Sequence, residues 1–350
     1  PFRSSEPMHP QQYPSMNALA LFFLFLFGLM GIAPRSSQAQ QAESVYRFLL
    51  LDSHARSAAL GGAHPAIPDA DYSLFHVNPA FLANSASRSF HTSYINHLDD
   101  IQYLTASTQL RGGAILQSLP VQLPPLALSV RAIHYGDLTG YDETGAETGS
   151  LSAGEIAFSA GMGDWLHKQI AWGVSATYIH SGLAGYRSSG IVFSGGLHRI
   201  STDGKTSLGL TVLNAGTQIT AYHQTHEPMP LQIHAGVSQR LEYLPLRYFI
   251  TARLRPGDDL RTATEESLTI ADQIARSMLV GGEIYFGEAV TLRLGYDYLQ
   301  GQQTGTGKRI DTAGLHGGVG IHLKRLDLHL ARTSLSDMGG VLQLSVLYRL

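Results

Sequence analysis

The Gly-Lys-Thr sequence at 204–206 has residue types that could do chemistry, since a P-loop ends this way and binds nucleotide phosphates. A P-loop needs another glycine five residues before its second glycine, and Arg199 stands there. The Gly-Lys pair at 307–308 fails in the same way, with Gln302 at the required position. The sequence also contains no G-x-S-x-G and no H-E-x-x-H motif. We therefore expect turns at these places.

Metal ligands are the second possibility. Cysteine is absent, which excludes disulfides, thiolate metal sites and a cysteine nucleophile. Of the 16 histidines, only His223 and His226, with Glu227, have spacing that resembles a ligand set. They fall in a predicted external loop, where a solvated polar segment is favoured over a metal site. We expect no catalytic, metal-binding or cofactor-binding residue, and we predict that the protein is not an enzyme.

The composition indicates which elements would position any site. The 37 glycines, 16 tyrosines and 13 phenylalanines, with 15% charged residues, favour strands and tight turns. A mean hydropathy near zero is typical of a membrane barrel, in which lipid-facing residues alternate with polar ones. The 24 basic and 27 acidic residues give a formal charge of −3, so nucleic acid is not an expected partner.

Strict alternation of apolar and polar residues predicts the strands. In two of them, the residues predicted to face outward are Leu292, Leu294, Tyr296, Ile170, Trp172 and Val174. Between 317 and 332 the apolar positions change parity at Lys324-Arg325, which predicts a two-residue hairpin turn. The predicted strands lie near 88–96, 101–111, 126–135, 154–162, 169–180, 190–199, 206–213, 231–239, 246–254, 277–286, 290–299, 314–323, 326–333 and 341–350.

The connections between these strands are long on one side and mostly short on the other, as in an outer-membrane barrel with short periplasmic turns. We predict an all-β fold, a transmembrane antiparallel β-barrel of about 14 strands with an N-terminal hatch segment. The predicted external loops include 136–153, 214–230 and 255–276. A soluble β-sandwich is the alternative. The sorted loop lengths, and alternation that continues to Leu350, count against it.

The N-terminal region is predicted to be a signal peptide followed by a plug. Residues 18–33 are continuously apolar but shorter than the roughly 20 residues that span a bilayer as a helix, and a small-x-small pattern at 37–39 permits cleavage before Gln40. An uncleaved anchor helix is the alternative. Residues 40–87 lack strand periodicity, and irregular backbone cannot face lipid, so we expect a hatch inside the barrel formed by 88–350. Residues 1–39 are predicted to comprise the signal peptide and the residues upstream of it.

Charged residues at inward-facing positions have two interpretations. They could line a conduit, or they could form an internal network of ion pairs, which we favour because a lumen of this size must be filled. These residues are Arg131, Arg247, Arg253, Arg293, Asp297, His322 and Asp327.

Several segments resemble the PorV/PorQ family of type IX secretion proteins, which are FadL-like barrels. The first are YRFLLLDSHARSAALGG (46–62) and VNPAFL (77–82), and the next are SYINHLDDIQY (93–103) and HYGDLTGYDETGAETGSLSAGE (134–155). A further match covers LNAGTQITAYHQTHEPMPLQIHAGVSQRL (213–241). The resemblance extends from about residue 45 to the C-terminus, and residues 111–125 and 255–276 are its least familiar parts.

The resemblance implies a non-enzymatic outer-membrane component of the type IX attachment complex. Such a protein would lie in outer-membrane lipid and anchor secreted partners, including a surface protein and a sortase-like enzyme. FadL-like transport of hydrophobic compounds is the alternative, and a surface enzyme is a weaker third. The matching hatch residues are Arg56, Leu60, Gly61, Gly62, Asn78, Pro79 and Ala80. On the external rim, partner contacts are expected from Tyr141, Asp142, Glu143, Tyr222, His223, His226 and Met229.

Overall fold

The computed structural model describes residues 44–84, 89–97, 100–110, 124–141, 144–223, 225–257, 259–262, 267–306, 311–336 and 339–350. The predicted signal peptide therefore lies outside the described residues. Strands β1 to β14 are, in order, Ser89–Asn96, Gln102–Leu110, Leu126–Tyr141, Glu147–His167, Ile170–Leu183, Tyr186–Ile200, Thr206–Thr220, Gln232–Arg240, Leu246–Leu254, Met278–Phe286, Val290–Asp297, Leu315–His322, Leu326–Ser334 and Gly340–Arg349.

Each strand pairs antiparallel with its neighbours in sequence, and β1 pairs with β14, so the sheet closes on itself. The closing register runs from Ser89 opposite Arg349 to Asn96 opposite Leu342. The prediction of a fourteen-stranded barrel is confirmed. The hairpin turn at Lys324-Arg325 is also present, where the Leu323 amide donates to the Leu326 carbonyl at 2.8 Å.

The two faces of the strands differ as their sequences predict. In β11, Leu294 is 59% exposed on the outer face, whereas its neighbour Arg293 is 2% exposed and faces the lumen. In β5, Ile170 and Val174 are exposed, while Ala171 between them is buried. The outer face is thus an apolar surface suited to lipid. In the described part of the chain, no helix is long and apolar enough to cross a membrane.

The two ends of the barrel carry different connections. At one end, which we call the short-turn end, β1 begins and β14 ends, and the connections include 168–169, 287–289 and 323–325. The other, long-loop end carries two short helices, α2 (Ile270–Arg276) and α3 (Tyr298–Thr304), in the β9–β10 and β11–β12 connections. This sorting matches the predicted arrangement of turns and loops.

Strands β3 to β7 are taller than the rest. They are 14 to 21 residues long, whereas the other strands have 8 to 10. The prediction of loops over 136–153 and 214–230 is therefore wrong in part, because β3, β4 and β7 continue through 136–141, 147–153 and 214–220. The β5–β6 connection is only 184–185. We call the extensions of these strands at the long-loop end, residues 135–141, 144–153, 180–190 and 214–220, the projecting wall.

The outer face of the projecting wall is mostly polar. In β4 the outward residues Phe158 and Ile156 give way to Ser152 and Ser150. In β5, the next outward-facing residue after Tyr178, toward the long-loop end, is His180. These changes occur at one level because Phe158 pairs with Tyr178 and Ile156 with His180. Ile219 of β7 is an exception, since this apolar side chain is 57% exposed in the projecting wall.

The N-terminal segment lies inside the barrel. It begins at the long-loop end, where the Val45 amide donates to the Pro228 carbonyl at 3.0 Å. It then forms a short helix, α1 (Ala55–Ala59), which contacts β11 to β14, and a 3₁₀ helix, Pro79–Asn84, which contacts β4 to β6. Residues 44–84 are called the hatch below.

Candidate functional site

A buried ion network fixes the hatch to barrel strands β10 and β11. Arg56 of α1 donates from Nε and Nη2 to the two carboxylate oxygens of Glu283, both at 2.8 Å. Arg293 of β11 donates to the same carboxylate at 2.8 Å, and the Tyr285 hydroxyl donates to it at 2.8 Å. The second partner of Arg56 is Asp69, at 2.9 Å. Two guanidiniums therefore share one carboxylate that has no solvent exposure, and Asp69 supplies the second negative charge that balances the network.

Glycines let the hatch backbone approach the wall. A Cβ atom at Gly173 would lie 2.1 Å from the Pro79 carbonyl oxygen, and one at Gly209 would lie 1.9 Å from that of Pro65. Only a residue without a side chain fits such contacts. The barrel glycines that face the hatch closely include Gly173, Gly196, Gly209, Gly236, Gly281, Gly295 and Gly318.

Asn78 joins the two halves of the hatch to the wall. Its amide nitrogen donates to the carbonyls of Pro65 at 2.8 Å and Leu197 at 3.2 Å, and its side-chain oxygen accepts from the Ala80 amide at 3.0 Å. Asn78, Pro79 and Ala80 are buried. Gly61 and Gly62, which follow Leu60 against β11 and β10, have φ of 92° and 132°. The hatch residues singled out in the sequence thus make contacts inside the barrel.

Other lumen charges are paired as well. Arg253 donates to both carboxylate oxygens of Asp297, at 2.8 and 3.0 Å. Arg247 donates to the carbonyls of Lys205 at 3.0 Å and Gly204 at 3.1 Å, at the short-turn end. Arg131 lies 3.5 Å from the Leu49 carbonyl. These contacts favour the internal network over a conduit lined by free charges.

One group of potential metal ligands occurs among the described residues, namely His322, Asp327 and His329, whose ligand atoms lie within 4.8 Å of one another. Arg349 pairs with the Asp327 carboxylate, and Arg293 lies 3.0 Å from His329 Nδ1. Two guanidiniums at the cluster would repel a cation and already occupy its acceptor atoms. The cluster is better suited to holding the β12–β13 hairpin to its neighbours.

A cavity of about 420 Å³ lies near the long-loop end. We call it the outer chamber. Its apolar lining comes from the hatch, the wall and α3, and consists of Phe48, Leu50, Leu51, Ile101, Ile133 and Leu299. A volume of this size lies in the range of roughly 300–1,000 Å³ typical of small-molecule sites. The outer chamber can therefore hold a small apolar molecule.

A second cavity of about 260 Å³, the inner chamber, adjoins the first. The two share Leu51, Arg253 and Asp297 among their lining residues. The inner chamber is more polar, with Asp52 of the hatch and His234 of β8 in its wall. Burial raises the pKa of the Asp52 carboxyl to about 6, although a hydrogen bond from Ser57 at 2.6 Å opposes the rise.

The start of the hatch lines the outer chamber through Arg47 and Phe48, and the residue before them is anchored to the projecting wall. Tyr46, with φ of 54°, is 2% exposed, and its hydroxyl lies 2.5 Å from Ser188 Oγ in the projecting wall. Met229 is buried in the same apolar cluster as Tyr46, and Tyr222 packs against it while its hydroxyl bonds to Ser181. Two of the predicted partner-binding residues, Tyr222 and Met229, thus have contacts within the protein.

The remaining rim residues have different surroundings. His223 is exposed, and its ring lies tilted beside that of Tyr186 with centroids 4.9 Å apart. His226 is also exposed. Tyr141 is the last residue of β3, whereas Asp142 and Glu143 lie outside the described residues. The structure does not bring the two groups of rim residues together in one described site. The chambers are formed mostly by other residues.

Sequence reasoning missed the chambers because their residues come from segments far apart in the chain. Phe48 and Leu51 fell within the predicted hatch, and Ile133 fit the apolar alternation of a predicted strand, so neither pattern indicated a cavity. The available signal was the apolar run at 48–51 within a segment that cannot contact lipid. Such a run must face either the hatch core or a cavity.

No family model matches the chain, and no curated protein matches its sequence. Solved structures do match its fold. The toluene transporter TodX of Pseudomonas putida is 13% identical, with a TM-score of 0.50 over 85% of this chain and 98% of that chain. A FadL homologue of Pseudomonas aeruginosa is 10% identical, with a TM-score of 0.49 over 86% of this chain and 99% of that chain. At such low identity, the likeness shows the barrel fold alone.

Proposed function

We propose that this protein is an outer-membrane barrel that binds small hydrophobic compounds in the outer chamber as a step in their uptake. The outer chamber carries the proposal. It is a partly open space of about 420 Å³, lined by apolar side chains together with Arg47, Arg253, Arg255 and Asp297, in a lumen that is largely occupied by the hatch and by paired charges.

The position of the outer chamber supports uptake from outside. Its lining includes His97 and Ile101 of the β1–β2 connection and Leu299 of α3, all at the long-loop end. The hatch lies between the outer chamber and the short-turn end, so a bound molecule is held above the plug. The toluene transporter named among the fold neighbours has a related task, and the transport interpretation has more support than the attachment role.

The test is saturable binding of octane to the purified full-length barrel in lipid nanodiscs. In the variant Ile133→Trp, the larger side chain fills the outer chamber, and we expect octane affinity to fall at least tenfold. The matched control is Leu294→Trp, which makes the same kind of change on the outer face, where Leu294 is exposed. Equal octane binding by Ile133→Trp and wild type would overturn the proposal.

Attachment of secreted surface proteins is the second candidate function, and one observation favours it. The segment 134–155, part of the resemblance to the type IX family, forms much of the projecting wall, which extends beyond the apolar outer face. The expected partners are a surface protein and a sortase-like enzyme. Co-purification of the intact barrel from its native membrane with such proteins would support this candidate.

A further inference from the structure

His234 lies on the lumen face of β8, at the inner chamber. Its side chain is 1% exposed. Among the residues that the structure describes, neither ring nitrogen of His234 has a hydrogen-bond partner. A buried polar group without a hydrogen-bond partner destabilises the protein. A ligand atom that forms the missing hydrogen bonds removes this penalty, and the gain contributes to the affinity for the ligand.

The charges around His234 are balanced. Arg253 is paired through two hydrogen bonds with Asp297, and Arg255, which lines both chambers, is not free either. Asp52 adds a second carboxyl group to the lining. A ligand carboxylate would bring a further negative charge toward two acidic groups whose surrounding cations are already engaged, and burying such a charge without a partner is unfavourable.

We infer that the inner chamber binds the uncharged hydroxyl head of an amphipathic compound, with His234 as the residue that recognises it. A neutral imidazole offers one donor and one acceptor, and a hydroxyl group also has both, whereas a carboxylate only accepts. The apolar part of the same molecule would lie in the adjoining outer chamber. This inference rests on the proposed function and names the ligand class for the same cavity.

The test compares three probes with the same eight-carbon chain, namely 1-octanol, octane and octanoate. For each probe, the affinity of the barrel in nanodiscs is measured for wild type and His234→Leu, and the ratio of the two affinities cancels the probe's own partition into lipid. We expect His234→Leu to weaken 1-octanol binding about tenfold and to leave octane binding within twofold. Octanoate binding should change no more than octane binding.

Two further variants separate recognition from damage to the fold. His234→Gln keeps a donor and an acceptor and should retain most of the 1-octanol affinity. His198→Leu makes the same change as His234→Leu at another buried lumen histidine, which does not line either chamber. It should leave all three affinities unchanged.

The outcomes distinguish this inference from the proposed function. If octane binds and is displaced by Ile133→Trp, but His234→Leu leaves 1-octanol binding unchanged, the inference fails and the proposed function stands. If octanoate loses at least as much affinity as 1-octanol, an anionic head is the better description and the inference also fails. If octane shows no saturable binding, both fail.

Discussion

Glu283 joins two arginines that come from different parts of the chain, Arg56 of the hatch and Arg293 of β11. Its replacement by glutamine would leave the buried Arg293 without its acidic partner and Arg56 with Asp69 alone. Breaking a buried ion pair in this way costs about 3–5 kcal/mol. We expect Glu283→Gln to release the hatch before the barrel unfolds, and hydrogen exchange of residues 50–70 measured by mass spectrometry would detect this.

The control for Glu283 is Glu242→Gln at the short-turn end. Glu242 pairs with Lys205 at 3.3 Å, but the two side chains are 64% and 39% exposed. Exposed pairs contribute about 0–1 kcal/mol. This variant should leave hatch exchange unchanged. Equal exchange in both variants would mean that the network at Glu283 does not hold the hatch.

Asp52 gives the hatch a dependence on pH. Because its pKa is raised to about 6 in the folded protein, the folded state holds the proton more tightly than the unfolded chain does. The associated stability is present below about pH 4 and is lost as the pH rises through 6. Asp52→Asn removes this loss. We expect its hatch to exchange more slowly than the wild-type hatch at pH 8, with the difference shrinking at pH 5 after correction for intrinsic rates.

At the scale of residues, the sequence predicts types of contact better than partners. Asn78 and Pro79 were expected in the hatch because they match residues of the family that the sequence resembles. Arg293 was expected to face the lumen from the alternation in β11. Neither pattern indicates that Arg293 shares Glu283 with Arg56, since that contact spans 227 residues of sequence.

At the scale of elements, close contact between hatch and strands depends on glycine. Gly173→Ala would place a methyl group 2.1 Å from the Pro79 carbonyl oxygen, so either the hatch or β5 must shift. Overpacking of this kind costs about 1–3 kcal/mol. We expect the displaced hatch to admit ions, which planar-bilayer conductance would record as a higher current than that of the wild type.

The control for Gly173 is Gly195→Ala in the neighbouring strand β6. A Cβ atom there would have its nearest contact at 4.0 Å, so no group has to move. Conductance through this variant should equal that of the wild type. Unchanged current in Gly173→Ala as well would show that the hatch stays closed without the glycine contact.

The strands were predictable where lipid imposes a rule. Below the projecting wall, each outward position must be apolar, and the resulting alternation identified all fourteen strands. In the projecting wall, outward positions such as Ser150 and His180 face no lipid, so alternation disappears while strand pairing continues. This is why residues 136–153 were expected to form a loop. The hydrogen bonds of the ladder need no apolar pattern.

At the scale of the whole molecule, the two proposed functions would use two different regions of the barrel. The chambers lie within the lumen, lined in part by the hatch, while the projecting wall extends from one side of the long-loop end. Of the described residues of the projecting wall, Tyr135 alone lines the outer chamber. A change confined to the upper part of the projecting wall should therefore leave the chambers intact.

Shortening the β3–β4 hairpin tests which region carries the function. Removal of residues 137–152 with a two-residue turn in their place retains the pairing of His134 with Gly154, so the barrel should insert normally, as judged by its heat-modifiable mobility. We expect octane affinity to stay within twofold of the wild type because Ile133 remains.

The attachment of secreted proteins to the cell surface is the second measurement on this variant. If attachment falls at least tenfold while octane still binds, the projecting wall is a docking surface and the two candidate functions coexist. If attachment is unchanged and only Ile133→Trp alters the phenotype, uptake through the chambers is sufficient, and the polar outer face of the wall serves solubility beyond the membrane.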